Sequence, residues 1–321
     1  MIATLSVFDA VLATTIVVVA VRVLTAPDHL QAIVVFIVFG LLLSLAWTRL
    51  HAVDVALAEA AIGAGLTGAL LLNTLGAAPD REATDRVPRG PRLLRLPMLV
   101  LATCVGMVVA SLVLGTAADG VGLRDAVATA LGESGVSNPV TAVLLNFRAY
   151  DTLLEIAVLM LAAIGVWSVA PSVNTTPVER RSSPILMAFV RTLIPVMGLV
   201  AAFLLWRGSA APGGAFQAGA VLCAAGVMVV VTGVGRGPRP GHLVDRVAIA
   251  LGFSAFLALS LGVMREHRRF LEFPRDLAGP LILLLETLLA ISIAGILVAL
   301  FAGDDATAAR AEHRSGPEAG A

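Results

Sequence analysis

Apolar runs of about 20 residues recur along the whole of this chain. A run of that length is what one helix needs to cross the hydrocarbon core of a bilayer. In lipid the backbone must satisfy its own N–H and C=O groups, which a helix does within one segment. Composition agrees. Of the 321 residues, 58% are hydrophobic and 14% charged, with a mean hydropathy of +0.94. A soluble domain carries about 25% charged residues. The chain therefore reads as all-α, a polytopic integral membrane protein with about nine transmembrane helices, and not as a soluble enzyme.

The spans fall at roughly 3–24, 29–47, 52–75, 97–116, 149–169, 185–206, 215–234, 243–264 and 280–301. No basic leader or cleavage site precedes the first run, so it is expected to be retained as a span. A Pro- and Arg-rich linker joins spans three and four. Residues 117–148 are less hydrophobic. Within them, Leu123–Leu131 suits a short amphipathic helix, and Asn138-Pro139 opens an apolar run to Arg148 whose conformation the sequence leaves open. The polar stretch at 170–184 has the composition of a seam. It divides the chain into a five-span module, 1–170, a linker, 171–183, a four-span module, 184–303, and a tail, 304–321, expected to be disordered.

All 22 basic residues are Arg and net charge is zero, so nucleic acid is not an expected partner. With nine spans, eight Arg fall on the side of the N-terminus and fourteen on the other. The positive-inside rule then expects the N-terminus outside and the C-terminus in the cytoplasm. Cys104 and Cys223 lie in separate apolar runs, and the five His are scattered. Nothing has the spacing of a metal or cofactor site, and none is expected.

Carboxylates inside spans stand out, because a charged side chain at a helix centre costs about 2.5–3.5 kcal/mol on insertion scales and marks ion or proton pathways by default. Span three carries Asp54 and Glu59, five residues and about 140° apart on a helix, which makes them two stations and not a paired dyad. Asp54 alternatively caps the span, and Glu59 alternatively makes a structural hydrogen bond. Gly63, Gly65 and Gly68 follow, and they suit close approach of another helix or a local π-bulge. At span five, Arg148, Asp151 and Glu155 are spaced to share one helical stripe. The alternative there is an interfacial ion pair. Glu286 stands alone in span nine. Pro212-Gly213-Gly214 forms a tight turn before Gln217, which is neutral and suited to positioning water.

Three stretches of the chain resemble a known family. Asp54-Val-Ala-Leu-Ala-Glu59-Ala resembles the Asp-x-Ala-x-x-Glu-Ala motif in the C-terminal membrane region of the large A subunit of Mrp-type multisubunit cation/proton antiporters. The same module is a separate small subunit in membrane-bound hydrogenases. Asn138 to Glu155 resembles the segment that follows it, with Leu154 where the relatives have Gly. Pro212-Gly-Gly-Ala-Phe-Gln-Ala-Gly219 resembles the Pro-Gly-Gly-Gly-Phe-Gln-x-Gly turn of the antiporter B subunit, with Ala215 in place of the third Gly.

The resemblance implies a non-enzymatic subunit of a transporter complex in a bacterial plasma membrane. Its implied partners are the other subunits of a Mrp-type antiporter and membrane lipid, and its transported ions are Na⁺ and H⁺. Glu59, Asp151 and Glu155 would lie on the ion or proton path, and Asp54 carries over as a motif residue. From its place inside a span, Glu286 joins that list. The route so expected runs from Glu59 to Asp151 and Glu155, and requires spans three and five to approach. Two alternatives remain open at this stage: a membrane-arm subunit of an ion-pumping, hydrogenase-like oxidoreductase, and a structural scaffold subunit.

Overall fold

The computed structural model describes residues 6–76, 92–115, 122–169, 183–264 and 270–314, and among these it contains helices and no strand. The expected linker at 171–183 lies almost wholly outside them. Among the described residues, eight helical segments are long and apolar enough to cross a membrane. Helix α1 (Val7–Thr25) and α2 (His29–Arg49) lead into span three, which is three pieces in one column. These are α3 (Val53–Ala58), a first π segment (Glu59–Leu66) and α4 (Thr67–Gly76). Then come α5 (Arg92–Gly115), α6 (Arg124–Ala130), α7 (Pro139–Ala142), a second π segment (Val143–Phe147) and α8 (Ala149–Val169). The second half comprises α9 (Pro184–Arg207), α10 (Ala215–Val231), α11 (Leu243–Met264) and α12 (Arg275–Arg314).

Three boundaries differ from expectation. The seventh span is the short helix α10, 17 residues, below the roughly 20 that cross a bilayer untilted. Helix α12 begins at Arg275, inside what reads as a charged loop. Pro274 before it and Asp276 in its first turn both favour a helix start. Its far end runs through Arg314, past Gly303, where a disordered tail was expected. Ala306, Ala308, Ala309 and Ala311 give that stretch the highest helix propensity available.

Helix α12 is the centre of the bundle. It packs against α10, α11 and α8, and more narrowly against α4 and α9. Ile282, Leu285, Leu289, Ile293 and Ile296 are all fully buried along it. The first four meet Leu153 and Ile156 of α8, Cys223 of α10 and Phe256 of α11 in the main apolar cluster, and Ile296 joins Ala163 and Ile249 in a second one. Buried Ser292 ties α12 to α11 by donating to the Ile249 carbonyl at 2.6 Å. Helix α5 is the opposite case. Every described side chain from Leu96 to Gly115 is exposed, a surface suited to lipid or another chain and not to water.

Span three packs on α2, as small residues allow, but with a division of labour the sequence does not reveal. Gly40 of α2 faces Ala64, where a Cβ would come within 2.8 Å of the Ala64 methyl, and Gly68 receives Ile37. The space beside Gly63 is taken instead by the carboxyl of Glu59 from its own helix. Both halves of the Gly-rich expectation are met: the stretch packs closely, and it forms the first π segment. Outside the core, Arg49 of α2 grips Asp9 of α1 with two hydrogen bonds of 2.8 and 3.0 Å.

Gly40→Leu should therefore wedge α2 away from the first π segment, at a cost of about 1–3 kcal/mol for overpacking. A fall in the thermal unfolding midpoint of the purified protein checks this. Gly106→Ala, at a position with open space around it, should leave the midpoint unchanged.

Candidate functional site

The functional candidates gather around the turn between α9 and α10, residues 208–214. Its Pro-Gly-Gly sequence dictates the local shape. Gly213 (φ 156) and Gly214 (φ 110) have backbone torsions that L side chains rarely adopt. The chain folds back so tightly that a Cβ on Gly213 would collide with the Leu204 carbonyl. Leu204 in turn accepts from the N–H groups of Gly208 (3.1 Å) and Gly214 (3.0 Å).

A turn of this shape has a cost. Residue Gly214 is the N-cap of α10 and has no side chain with which to cap it. The first N–H groups of a helix need acceptors from elsewhere. Two carboxylates converge on this helix start and on the turn residue before it. Asp54 of α3 accepts from the Gly213 N–H at 2.9 Å. Glu286 of α12 brings its carboxyl to the helix start, beside the Ala215 N–H, so close that a Cβ on Gly214 would lie 2.7 Å from its Oε1. Anions at a helix N-terminus also gain from the helix dipole, typically about 0.3–1 kcal/mol. Gln217 adds a further tie, its Nε2 donating to the Asp54 carbonyl at 3.2 Å.

The other end of the turn is capped from the first half of the chain as well. Asn138, buried to 4% exposure, donates from Nδ2 to the carbonyls of Gly208 (3.1 Å) and Ala211 (3.0 Å). Thr141 donates to Gly208 at 2.6 Å, and the N–H groups of Ser137 and Asn138 both reach the Ser209 carbonyl. Asn138 also caps α7 through Oδ1. The stretch 138–148, left open by the sequence, is thus a short helix and a π turn docked on the α9–α10 connection. It is braced at α12, where Gly135 (φ 77) lies against Ala278 and Arg275 pairs with Glu133 at 2.8 Å.

Each residue singled out from sequence now has a position. Asp54 is in the first turn of α3, but no side chain caps that helix. Its carboxylate serves α10 instead. Glu59 is half-buried and folds over Gly63. Asp151 is half-buried and pairs with Arg148 at 2.5 Å, while Glu155 is exposed on this chain. Arg148 precedes the helix with φ −129, so the helical stripe holds only Asp151 and Glu155. Span three packs mainly on α2, with narrower contacts to α10 and α12, and span five on α11 and α12. Helix α12 is thus the neighbour common to both.

Glu286, alone in the sequence, is the most buried of these acids at 2% exposure, and its Oε2 has no hydrogen-bond partner. Gln217 and Asn138 are the contributors that sequence reasoning undervalued. The available signal was the pair of glycines before α10, which announces a helix start lacking its own cap.

Taken together, the fold and this junction define the class: a polytopic, all-helical membrane protein whose two halves are tied by shared helix caps. Comparison with known families makes it more specific. Residues 14–80 match a family described as the D subunit of MBH, and residues 92–176 one described as the E subunit of MBH. Residues 185–303 match a domain related to the MnhB subunit of Na⁺/H⁺ antiporter. The chain is thus similar, stretch by stretch, to subunits of MBH and to the MnhB subunit of Na⁺/H⁺ antiporter. It is 28% identical over 171 residues to the A subunit of the Na⁺/H⁺ antiporter of Bacillus subtilis (strain 168), covering 52% of this chain and 20% of that protein. Its fold is similar to a chain of the Mrp complex from Dietzia sp. DQ12-45-1b. The TM-score is 0.74 at 22% identity, covering 95% of this chain and 36% of that one. The present chain thus spans about a fifth of the curated relative and about a third of the solved chain.

Gly214→Ala should be among the most damaging small changes in the protein. It forces a positive φ on Ala, costing about 1–3 kcal/mol, and drives a methyl into the Glu286 carboxyl. The thermal unfolding midpoint should fall well below that of wild type, and the two fragments of a protease nick at 170–182 should separate more easily.

Proposed function

We propose that this chain is a membrane subunit of a multisubunit monovalent cation/proton antiporter, and that its intramembrane carboxylates contribute to the proton or Na⁺ path. The observation that carries the reading is Glu286: a carboxyl almost wholly buried in the central helix, one oxygen unpartnered, beside Asp54 from the other half of the chain. A purely structural helix buries apolar groups at less cost, whereas an intramembrane acid facing a protein interior suits ion movement. The relatives support it, being antiporter subunits by name. The MnhB-related region and the relative from Bacillus subtilis favour an antiporter over a hydrogenase-type membrane arm.

The path residues of this reading are Glu59, Asp54, Glu286, Asp151 and Glu155. A route from Glu59 to the span-five acids runs past α12, and therefore past Glu286. Glu155, exposed on this chain, and α5, exposed along its length, are where other members of a Mrp-type complex would close the path and the bundle. The cargo is Na⁺ or another monovalent cation against H⁺. The reading places the protein in a bacterial plasma membrane, with the N-terminus outside and the C-terminus cytoplasmic, following the Arg distribution. It further takes 1–170 and 184–303 as two modules joined at 171–183.

The test uses membrane vesicles carrying the whole complex and a pH-sensitive dye. Glu59→Gln and Asp151→Asn should each abolish Na⁺-dependent dissipation of a proton gradient while the complex keeps its size on a native gel. Exchange at the wild-type rate in both variants contradicts the path assignment. A complex that falls apart in both supports a scaffold instead.

A further inference from the structure

The α9–α10 turn connects two carboxylates that the sequence places 232 residues apart. Gly213 N–H is held by Asp54, and the Glu286 carboxyl lies beside Gly214 and the Ala215 N–H. Two residues of backbone, at most about 7 Å, separate the two donors. Gln217, one helical turn into α10, is half-buried and anchored by its Nε2 on the Asp54 carbonyl. That bond fixes which end of the amide faces Asp54, and leaves Oε1 on the side of Gly214 and Glu286. A Cβ on Gly214 would lie 3.8 Å from Gln217 Oε1 and 2.7 Å from Glu286 Oε1. Three polar side chains from α3, α10 and α12 thus converge on the Gly213-Gly214 pair.

Among the described residues Glu286 has no ion-pair partner, and its Oε2 has no donor although it is buried. A buried carboxyl oxygen without a partner is costly, by about 1–3 kcal/mol or more. Native structures keep such groups where something binds. The group that fits an oxygen enclosed by α12 and the α10 start, with no room for a second side chain at Gly214, is a proton. Asp54 holds the adjacent residue of the turn, Gly213, and Glu59 lies about one and a half turns further along the same span.

We propose that Asp54 and Glu286 form one proton-binding pair across the junction of the two halves, with Gln217 as the positioning residue that holds them in register. This rests on the antiporter reading and assigns its proton to a particular place. Transfer breaks the O–H bond at Glu286 and forms one at Asp54, directly or through water. Nothing is oxidised or reduced. A proton on either carboxyl weakens it as an acceptor for its end of the turn, so the two acids share one backbone element that senses both.

The experiment is infrared difference spectroscopy on the purified whole complex, between acidic and alkaline buffer, following the C=O stretch of protonated carboxyl groups. In the wild type one such band should vanish in Glu286→Gln and shift in Gln217→Ala, while Asp151→Asn leaves it in place. A difference spectrum unchanged by Glu286→Gln overturns the proposal. Should that variant not assemble, Gln217→Ala decides: an unshifted band overturns the proposal, and a shifted one supports it. These readouts do not depend on transport. If Na⁺-dependent exchange were absent from the wild type but the Glu286 band present, the antiporter reading would fail and the proton pair would stand.

Discussion

Helix α10 begins without a cap of its own, and much of the structure follows from that lack. The two glycines before it allow the chain to reverse over the end of α9, and in doing so remove any side chain that could accept the first N–H groups. In water such groups would be solvated. At one end of a membrane bundle they need acceptors from protein. Asp54 holds the turn at the Gly213 N–H just before the helix, the Glu286 carboxyl lies at the helix start, and Asn138 and Thr141 bind carbonyls at the end of α9 and in the turn. Charge-assisted hydrogen bonds of this kind are worth about 1.5–3 kcal/mol each. They act between segments far apart in the sequence, so the first half of the chain is held to the second by backbone chemistry as well as by apolar packing.

The arrangement also gives intramembrane acids a reason to stay where they are. A carboxylate in a span is expensive when it serves nothing. Asp54 and Glu286 offset part of that cost by satisfying peptide groups that would otherwise be orphaned. Structure and function are not competing explanations for these two residues. A side chain that must accept from a backbone N–H and also bind a proton is poised between two states, as an ion path requires. Glu59 differs: it folds over Gly63 inside a π segment, a distortion that recurs at functional sites. A second π segment precedes span five and its acids.

Much of this fold was legible in the sequence because the bilayer limits the choice so severely. Apolar run length located all the long helices, and the boundaries of α8 and α11 agree with expectation to within a residue. The misses have local causes. Helix α12 starts early because Pro274 and Asp276 favour initiation where charge suggested a loop, and it ends late because alanine sustains a helix without packing. Glu286 stood alone in the sequence because its surroundings are backbone and Gln217 at the start of α10, which no sequence motif announces. Asp54 read as a station on a path or, alternatively, as the cap of its own helix, a common use of an acid at a helix start. Its carboxylate instead holds the turn before a different helix, 159 residues away at Gly213. Hydropathy sees what a residue avoids, and it does not see which distant backbone group the residue serves.

The central claim is that the α9–α10 turn is held by acceptors on α3 and α12. Hydrogen–deuterium exchange of the peptide covering residues 208–217, in the intact complex, measures this directly. The account predicts slow exchange in the wild type, with the amides of Gly213 and Ala215 protected, and faster exchange of the same peptide in Asp54→Ala. Exchange in the wild type as fast as that of an unstructured peptide would contradict it.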